Sequence, residues 1–152
     1  MAEGTATRKT VVRKNFKSPD ETRKFDKGKI DIANVGDAVI GRFELQPGWR
    51  WSQSVKPLVG TEWCQQTHVA FVVSGRLKTK LEDGTEDEAG PGDAVFTPAG
   101  HDAWVVGNEP VVMLDFKGAA TPRSSEALDR RTASASAPGS FPFTVGSHER
   151  SG

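Results

Sequence analysis

Four side chains that can bind a transition metal lie in two short stretches of the chain. Glu62, Cys64 and His68 belong to the segment EWCQQTHVAFVVSG, and His101 follows the glycine of PAGH. Carboxylate, thiolate and imidazole groups are the usual protein ligands of divalent transition ions, which take three or four of them. These residues raise two hypotheses, a metal site and a strand in which the same side chains are simply buried.

The choice among the four ligands would decide the metal. His68 and His101 with Glu62 would form the two-histidine, one-carboxylate set of non-haem iron enzymes, whereas Cys64 in place of Glu62 would give a softer site that favours zinc. We rank the two histidines first as ligands, Cys64 next, and Glu62 last because GTEW can belong to a loop. In the metal-free alternative, Cys64 is a small buried side chain and His68 is a core histidine bonded to Gln66 or to a backbone carbonyl.

Composition predicts one modest domain without a strong electric field. The chain has 152 residues, of which 36% are hydrophobic, enough for one core. The formal net charge is zero, so no long-range attraction would gather nucleic acid or an anionic membrane. One cysteine excludes an internal disulfide, and the sequence shows no signal peptide or membrane span. We therefore expect a cytoplasmic protein that binds neither membrane nor nucleic acid.

Three segments differ in composition along the chain. Residues 1–30 are polar and basic and predict an N-terminal arm, in which Ser18, Pro19 and Glu21 have the form of a capping box for one short helical turn. Residues 31–117 hold short apolar runs separated by glycine and proline, the pattern of an all-β sandwich or barrel. Residues 118–152 are rich in alanine, serine, proline and glycine and predict a flexible tail. Near its end, the apolar FPFTVG is either a frayed end or a segment that docks on a sheet edge.

Two strand segments are apolar on both faces. VAFVV and VVMLDF show no alternation of polar and apolar residues. One face of each can line a barrel interior, and the other needs a second cover. We therefore expect a homodimer.

The segments GTEWCQQTHVAFVVSG and GPGDAVFTPAGHDAWVVGNEP resemble the two motifs of the cupin superfamily. Together with PGWRW, SGRL and EDGTE, they are similar to small single-domain bacterial cupins of the cupin 2-like type, over roughly residues 15 to 120. The first cupin motif has the form H-x-H-x(3)-E, then six residues and a glycine. Counting back from Gly75 places His68 at the glutamate of that motif, Cys64 at its second histidine and Glu62 at its first. In the second motif the usual histidine falls at Ala103, two residues after His101.

The resemblance implies an all-β fold, a cupin-type antiparallel β-barrel (jelly roll, or double-stranded β-helix). Side chains two apart on a strand share a face, so His101 can point into the same cavity as the missing histidine. On the same argument the four alternate residues from Glu62 to His68 share one face. We expect a small-molecule pocket lined by Trp51, Gln66, His68 and His101.

The leading hypothesis is a metal-binding pocket protein that acts on, or senses, a small organic molecule. The metal would be a divalent transition ion (iron, zinc, manganese or nickel), and an enzyme of this kind would carry out metal-assisted chemistry on a carboxylate or carbonyl compound. Two alternatives stay open, a non-enzymatic ligand-sensing cupin and a metal-free structural cupin. The chain has no tyrosine, which argues against the histidine–tyrosine acid–base pair that sugar epimerases with this barrel use. No catalytic residue is assigned.

Overall fold

Nine strands and two single-turn helices make up the described part of the chain. The structure is a computed structural model, and it describes residues 10–119. Within those residues, neither helix has the length or the hydropathy that a membrane crossing requires. In chain order the elements are β1 (Glu21–Phe25), β2 (Gly28–Val35), β3 (Ala38–Leu45), α1 (Trp51–Ser54), α2 (Lys56–Val59), β4 (His68–Ser74), β5 (Arg76–Leu81), β6 (Glu86–Ala89), β7 (Ala94–Thr97), β8 (His101–Val106) and β9 (Val111–Lys117).

The strands form two antiparallel sheets, which confirms the predicted all-β architecture. One sheet has six strands in the order β1-β2-β3-β9-β4-β7, and the other has three in the order β6-β5-β8. The chain crosses from the first sheet to the second at Gly75, where φ is 77°. A Cβ atom at this position would collide with the backbone of Pro110. Glycine is therefore required where the two sheets meet.

The segment predicted to be an N-terminal arm contributes to the larger sheet. The predicted helical turn after Ser18 is wrong, because Glu21 begins β1 and pairs with Ile32 of β2. Lys27 adopts a φ of 57° in the tight turn that joins these two strands. As an edge strand, β1 needs little apolar surface and carries charged side chains, so its composition resembles that of a solvated arm.

The predicted tail lies almost entirely outside the described residues. Of residues 118–152, the structure describes Gly118 and Ala119 only. Ala119 is buried in a small cluster with Ile30 and Ile32 of β2. The FPFTVG segment lies outside the described residues, so its docking stays a prediction.

The main core joins the two sheets. It contains residues of β3 and β9 from the larger sheet and residues of β8 from the smaller one, of which Leu45 and Val111 are fully buried. Burial of these side chains supplies the main favourable term in folding. The buried members are Leu45, Trp49, Trp51, Cys64, Ala103, Val105 and Val111. Because Cys64 lies in this cluster, its thiol group is next to the apolar core.

The opposite face of the larger sheet exposes apolar side chains. On β4, alternate residues Val69, Phe71 and Val73 are 39 to 48% exposed, whereas Ala70 and Val72 between them are buried. Phe96 of the neighbouring β7 is paired with Val69 and is 66% exposed. This exposed apolar face corresponds to the strand surface for which the sequence predicted a second cover.

Candidate metal centre

Cys64 lies in an irregular segment that is fixed to the start of β8. Its backbone N–H donates to the carbonyl of His101 over 2.8 Å, and its own carbonyl accepts from the N–H of Gly100 over 2.7 Å. The N–H of His101 also donates to the Cys64 carbonyl, over 3.4 Å, and the two bonds between Cys64 and His101 form an isolated antiparallel bridge. Because residues 65–67 are not in a strand, this bridge, rather than strand alternation, brings Cys64 to the site.

His68 is held from three sides at the first residue of β4. Its Nδ1 atom lies 2.6 Å from Oδ2 of Asp115, a fully buried residue of β9. The ring of Phe43 packs edge-on against the imidazole, with ring centroids 6.4 Å apart at 81°. Gly118 closes the third side, since a Cβ atom there would lie only 2.9 Å from Nδ1. The orientation of the His68 ring is therefore set before any ligand binds.

His101 is buried at the first residue of β8, and its ring is also oriented by a hydrogen bond. Its Nδ1 atom lies 2.7 Å from the carbonyl oxygen of Pro98. A carbonyl can only accept, so Nδ1 carries a proton that it donates to Pro98, and Nε2 is the ring nitrogen that remains as a ligand atom. The ring centroids of His101 and His68 are 5.4 Å apart.

Together the three residues form a group that could hold a metal ion. One ligand atom from each of Cys64, His68 and His101 lies within 4.8 Å of the other two. The Sγ atom of Cys64 is 3.9 Å from Nε2 of His68. Tetrahedral zinc with bonds of about 2.3 Å to sulfur and about 2.05 Å to nitrogen would place these atoms about 3.6 Å apart. A shift of a few tenths of an ångström would bring this pair to that spacing, and all three ligand atoms would have to close to a similar spacing around an ion. The thiolate and two imidazoles are a donor set that suits zinc.

In the metal-free cluster the proton lies on imidazole rather than on sulfur. Burial raises the pKa of the Cys64 thiol, but hydrogen bonds from His101 and His68 outweigh burial and lower that pKa to about 6. Burial lowers the pKa of His68, but its hydrogen bonds with Asp115 and Cys64 outweigh burial and raise that pKa to about 9. Near neutral pH the pair is therefore thiolate and imidazolium. Because metal ligation needs Nε2 of His68 without its proton, binding would release one proton.

The structure does not bring Glu62 into this group. Its side chain is 78% exposed and pairs with Lys56 Nζ at 2.9 Å. The carboxylate therefore points to solvent, and the two-histidine, one-carboxylate set does not assemble with Glu62. Of the four predicted ligands, the structure brings three together.

The predicted pocket residues have different positions. Trp51 begins α1 and is buried in the main core. Gln66 is half-buried, and its backbone N–H contributes a hydrogen bond to the Cys64 sulfur. An open depression of about 380 Å³ lies on the surface, lined by residues 81–83, residues 98–100 and Gln65. It is lined by none of the predicted pocket residues, although Gly100 directly precedes His101.

Asp115 is a site residue that the sequence analysis missed. It lies in VVMLDF, whose composition predicts only an apolar strand. The available signal was a single acid in an otherwise apolar run, alternating with Val111 and Met113 on the inner face. A fully buried carboxylate needs a partner, and here that partner is a metal-capable histidine.

No protein-family model and no curated protein matches the chain. Solved structures do match. A variant of Bacillus subtilis oxalate decarboxylase OxdC is 17% identical over 86% of this chain and 41% of its own, with a TM-score of 0.53. KdgF from a Halomonas species is 20% identical over 64% of this chain and 87% of its own, with a TM-score of 0.46. A protein of unknown function from Rhizobium leguminosarum bv. viciae is 25% identical over 60% of this chain and 80% of its own, with a TM-score of 0.46.

The likeness to oxalate decarboxylase, with its TM-score of 0.53, supports the fold class. Oxalate decarboxylase is a cupin-superfamily protein, and the likeness agrees with the two antiparallel sheets described above. The protein has an all-β cupin barrel fold. At 17% identity the likeness extends to the fold alone, and the chain spans about two fifths of the oxalate decarboxylase chain. The finer cupin 2-like type stays a prediction.

Proposed function

We propose that this cupin barrel binds a divalent metal ion of the zinc type through Cys64, His68 and His101, and uses it to bind a small organic molecule. The observation that carries the proposal is the convergence of three ligand atoms from two separate stretches of the chain within 4.8 Å. Both imidazoles have Nδ1 engaged by an oxygen acceptor. Outer contacts of this kind are typical of histidines that bind metal through Nε2.

The donor set supports zinc over harder ions. Thiolate and imidazole ligands suit zinc, whereas magnesium, calcium and manganese prefer oxygen. Because Glu62 is turned outward to Lys56, the carboxylate of the iron-type set is missing from the group. Iron and nickel are therefore less well supported than zinc, and the three residues supply no oxygen ligand for manganese.

A three-ligand set leaves room for a substrate or water. Zinc sites with three protein ligands keep a fourth position open, and there the ion supplies Lewis-acid chemistry toward a carbonyl or carboxylate oxygen. The residues of this chain would hold and orient the site: Asp115 and Pro98 fix the two imidazoles. A carboxylate or carbonyl compound is therefore the ligand class that we propose.

The core also offers an unused hydrogen-bond donor. Trp49 is 6% exposed and belongs to the same buried cluster as Cys64. Its indole Nε1 has no hydrogen-bond partner within the part of the chain that the structure describes. Buried donors normally have a partner, so this N–H is a position at which an oxygen acceptor is expected.

Elemental analysis of untagged protein tests the proposal. Wild type should contain nearly one equivalent of metal after purification or after zinc loading and desalting. The His68→Ala, His101→Ala double variant should contain almost none, because one remaining thiolate is not a site. The chain has a third histidine, His148, which lies outside the described residues. His148→Ala is the matched control and should retain the metal.

Two outcomes would contradict the proposal. Wild type that is folded and stays metal-free after loading would favour the metal-free structural alternative. Equal metal content in the double variant and wild type would show that the metal lies elsewhere. If the metal binds as proposed, carboxylate and carbonyl compounds can be screened for binding and for turnover; binding without turnover would favour the ligand-sensing alternative.

A further inference from the structure

Asp115 is a fully buried carboxyl residue at the centre of the larger sheet. It lies on β9 between Gly41 of β3 and Ala70 of β4, and it is 0% exposed. Burial of an ionised carboxylate is costly unless hydrogen bonds and opposite charge compensate it. A residue placed there for stability alone would be better replaced by an apolar side chain. The position therefore calls for an explanation from its contacts.

Both oxygens of Asp115 have defined partners. Oδ2 lies 2.6 Å from Nδ1 of His68, and Oδ1 accepts the backbone N–H of Lys117 over 2.9 Å. A nitrogen–oxygen distance this short is typical of a charge-assisted bond. The second bond prevents rotation of the carboxylate, so the orientation of Oδ2 toward His68 is fixed by the backbone of β9.

We propose that Asp115 is a positioning residue that keeps a proton on Nδ1 of His68 and thereby directs Nε2 to the metal, with Cys64 and His101. The inference rests on the proposed function, because it concerns the same site. Two observations carry it: the 2.6 Å contact between Oδ2 and Nδ1, and the Lys117 bond that fixes the carboxylate in that orientation.

The backbone bond makes Asp115→Asn an informative change. The amide oxygen of asparagine would take the Lys117 N–H, since an NH2 group there would face another donor. The NH2 group would then face Nδ1 of His68, which must become an acceptor and carry its proton on Nε2. The variant keeps the size of the side chain at position 115 but favours the His68 tautomer in which Nε2 carries the proton and cannot bind the metal.

Competition with a coloured chelator measures zinc affinity. We expect Asp115→Asn to weaken zinc binding by about 10- to 100-fold, the usual effect of losing an outer-shell partner. The matched control is Asp31→Asn, because Asp31 is also a buried carboxylate, 3% exposed, but is paired with Thr22 and Lys29. The zinc affinity of this control should stay within about twofold of wild type, a much smaller change than the loss expected for Asp115→Asn.

Nitrogen-15 spectra of zinc-loaded wild type test the inference without any variant, so they apply even if Asp115→Asn fails to fold. His68 should show zinc on Nε2 and a proton on Nδ1. Zinc on Nδ1, or equal zinc affinity of wild type and Asp115→Asn, would overturn the role of Asp115 while leaving the proposed function intact. Absence of zinc binding by wild type would overturn the proposed function itself, and this inference with it.

Discussion

Gly118 lies directly against His68, and substitution by alanine should disturb the site in a measurable way. The residue has a φ of 106°, in a region that side-chain-bearing residues rarely adopt. A Cβ atom would lie 2.9 Å from Nδ1 of His68 and 2.9 Å from the carbonyl oxygen of Thr67. Neither neighbour can move easily, because one is backbone and the other is held by Asp115.

The expected loss of folding stability in Gly118→Ala has two parts of similar size. A residue with a side chain at a strongly positive φ costs of order 1–3 kcal/mol of backbone strain. Forcing an extra methyl group into a packed site costs about 1–3 kcal/mol more. Gly118→Ala should therefore lower the free energy of unfolding by about 2–6 kcal/mol. Because the methyl group pushes the His68 ring, zinc affinity should also fall, by about tenfold or more.

Gly84→Ala separates the two parts. Gly84 has a φ of 90°, and nothing lies within 4 Å of an added Cβ atom there. This control carries the backbone strain without the collision. It should lose about 1–3 kcal/mol of stability and keep the zinc affinity of wild type.

Urea unfolding of metal-free protein and chelator competition provide the two measurements. The difference in stability between Gly118→Ala and Gly84→Ala should be about 1–3 kcal/mol. Equal stability and equal zinc affinity of the two variants would refute the argument that the Gly118 backbone supports the His68 ring.

Two further predictions concern other parts of the fold. Burial raises the pKa of Asp31, but bonds from Thr22 and Lys29 outweigh it, so that pKa lies below its usual value of 3.8. The stabilisation by ionised Asp31 is present above about pH 4 and is lost as pH falls through the folded-state pKa. The difference in unfolding free energy between wild type and Asp31→Asn should therefore shrink between about pH 5 and pH 2. A constant difference in urea unfolding would contradict this. The exposed apolar face predicts a homodimer, since a second copy could cover it: Phe96→Asp should reduce the mass found by light scattering to that of one chain. Leu58→Asp is the control, because Leu58 lies on α2 and is 67% exposed, against 66% for Phe96; it should keep the mass of the dimer. A monomeric wild type would rule out the dimer.

Much of the fold could be predicted from short-range patterns in the sequence. Apolar runs of four to eight residues separated by glycine predicted an all-β protein, and the structure confirms this. The start of the folded domain was harder to predict from the sequence. A polar edge strand such as β1 buries one side at most, so its residues resemble those of a solvated arm.

The sequence also singled out Cys64, His68 and His101 by residue type, and the tertiary structure brings them together. The sequence could not show that Glu62 lies outside the site, because alternation assigns a side chain to a face only where the chain forms a strand. The segment before β4 is irregular, so Glu62 turns outward although it shares the parity of Cys64.

Residue types and local patterns thus determined the class of fold and the candidate donors. Pairing between distant strands decided which donors converge and which residue supports them. Asp115 is 47 positions away from His68, and only the β4–β9 register places its carboxylate against the imidazole. Such a register depends on the packing of the whole barrel, because backbone hydrogen bonding between strands is open to every residue except proline and carries little sequence information by itself.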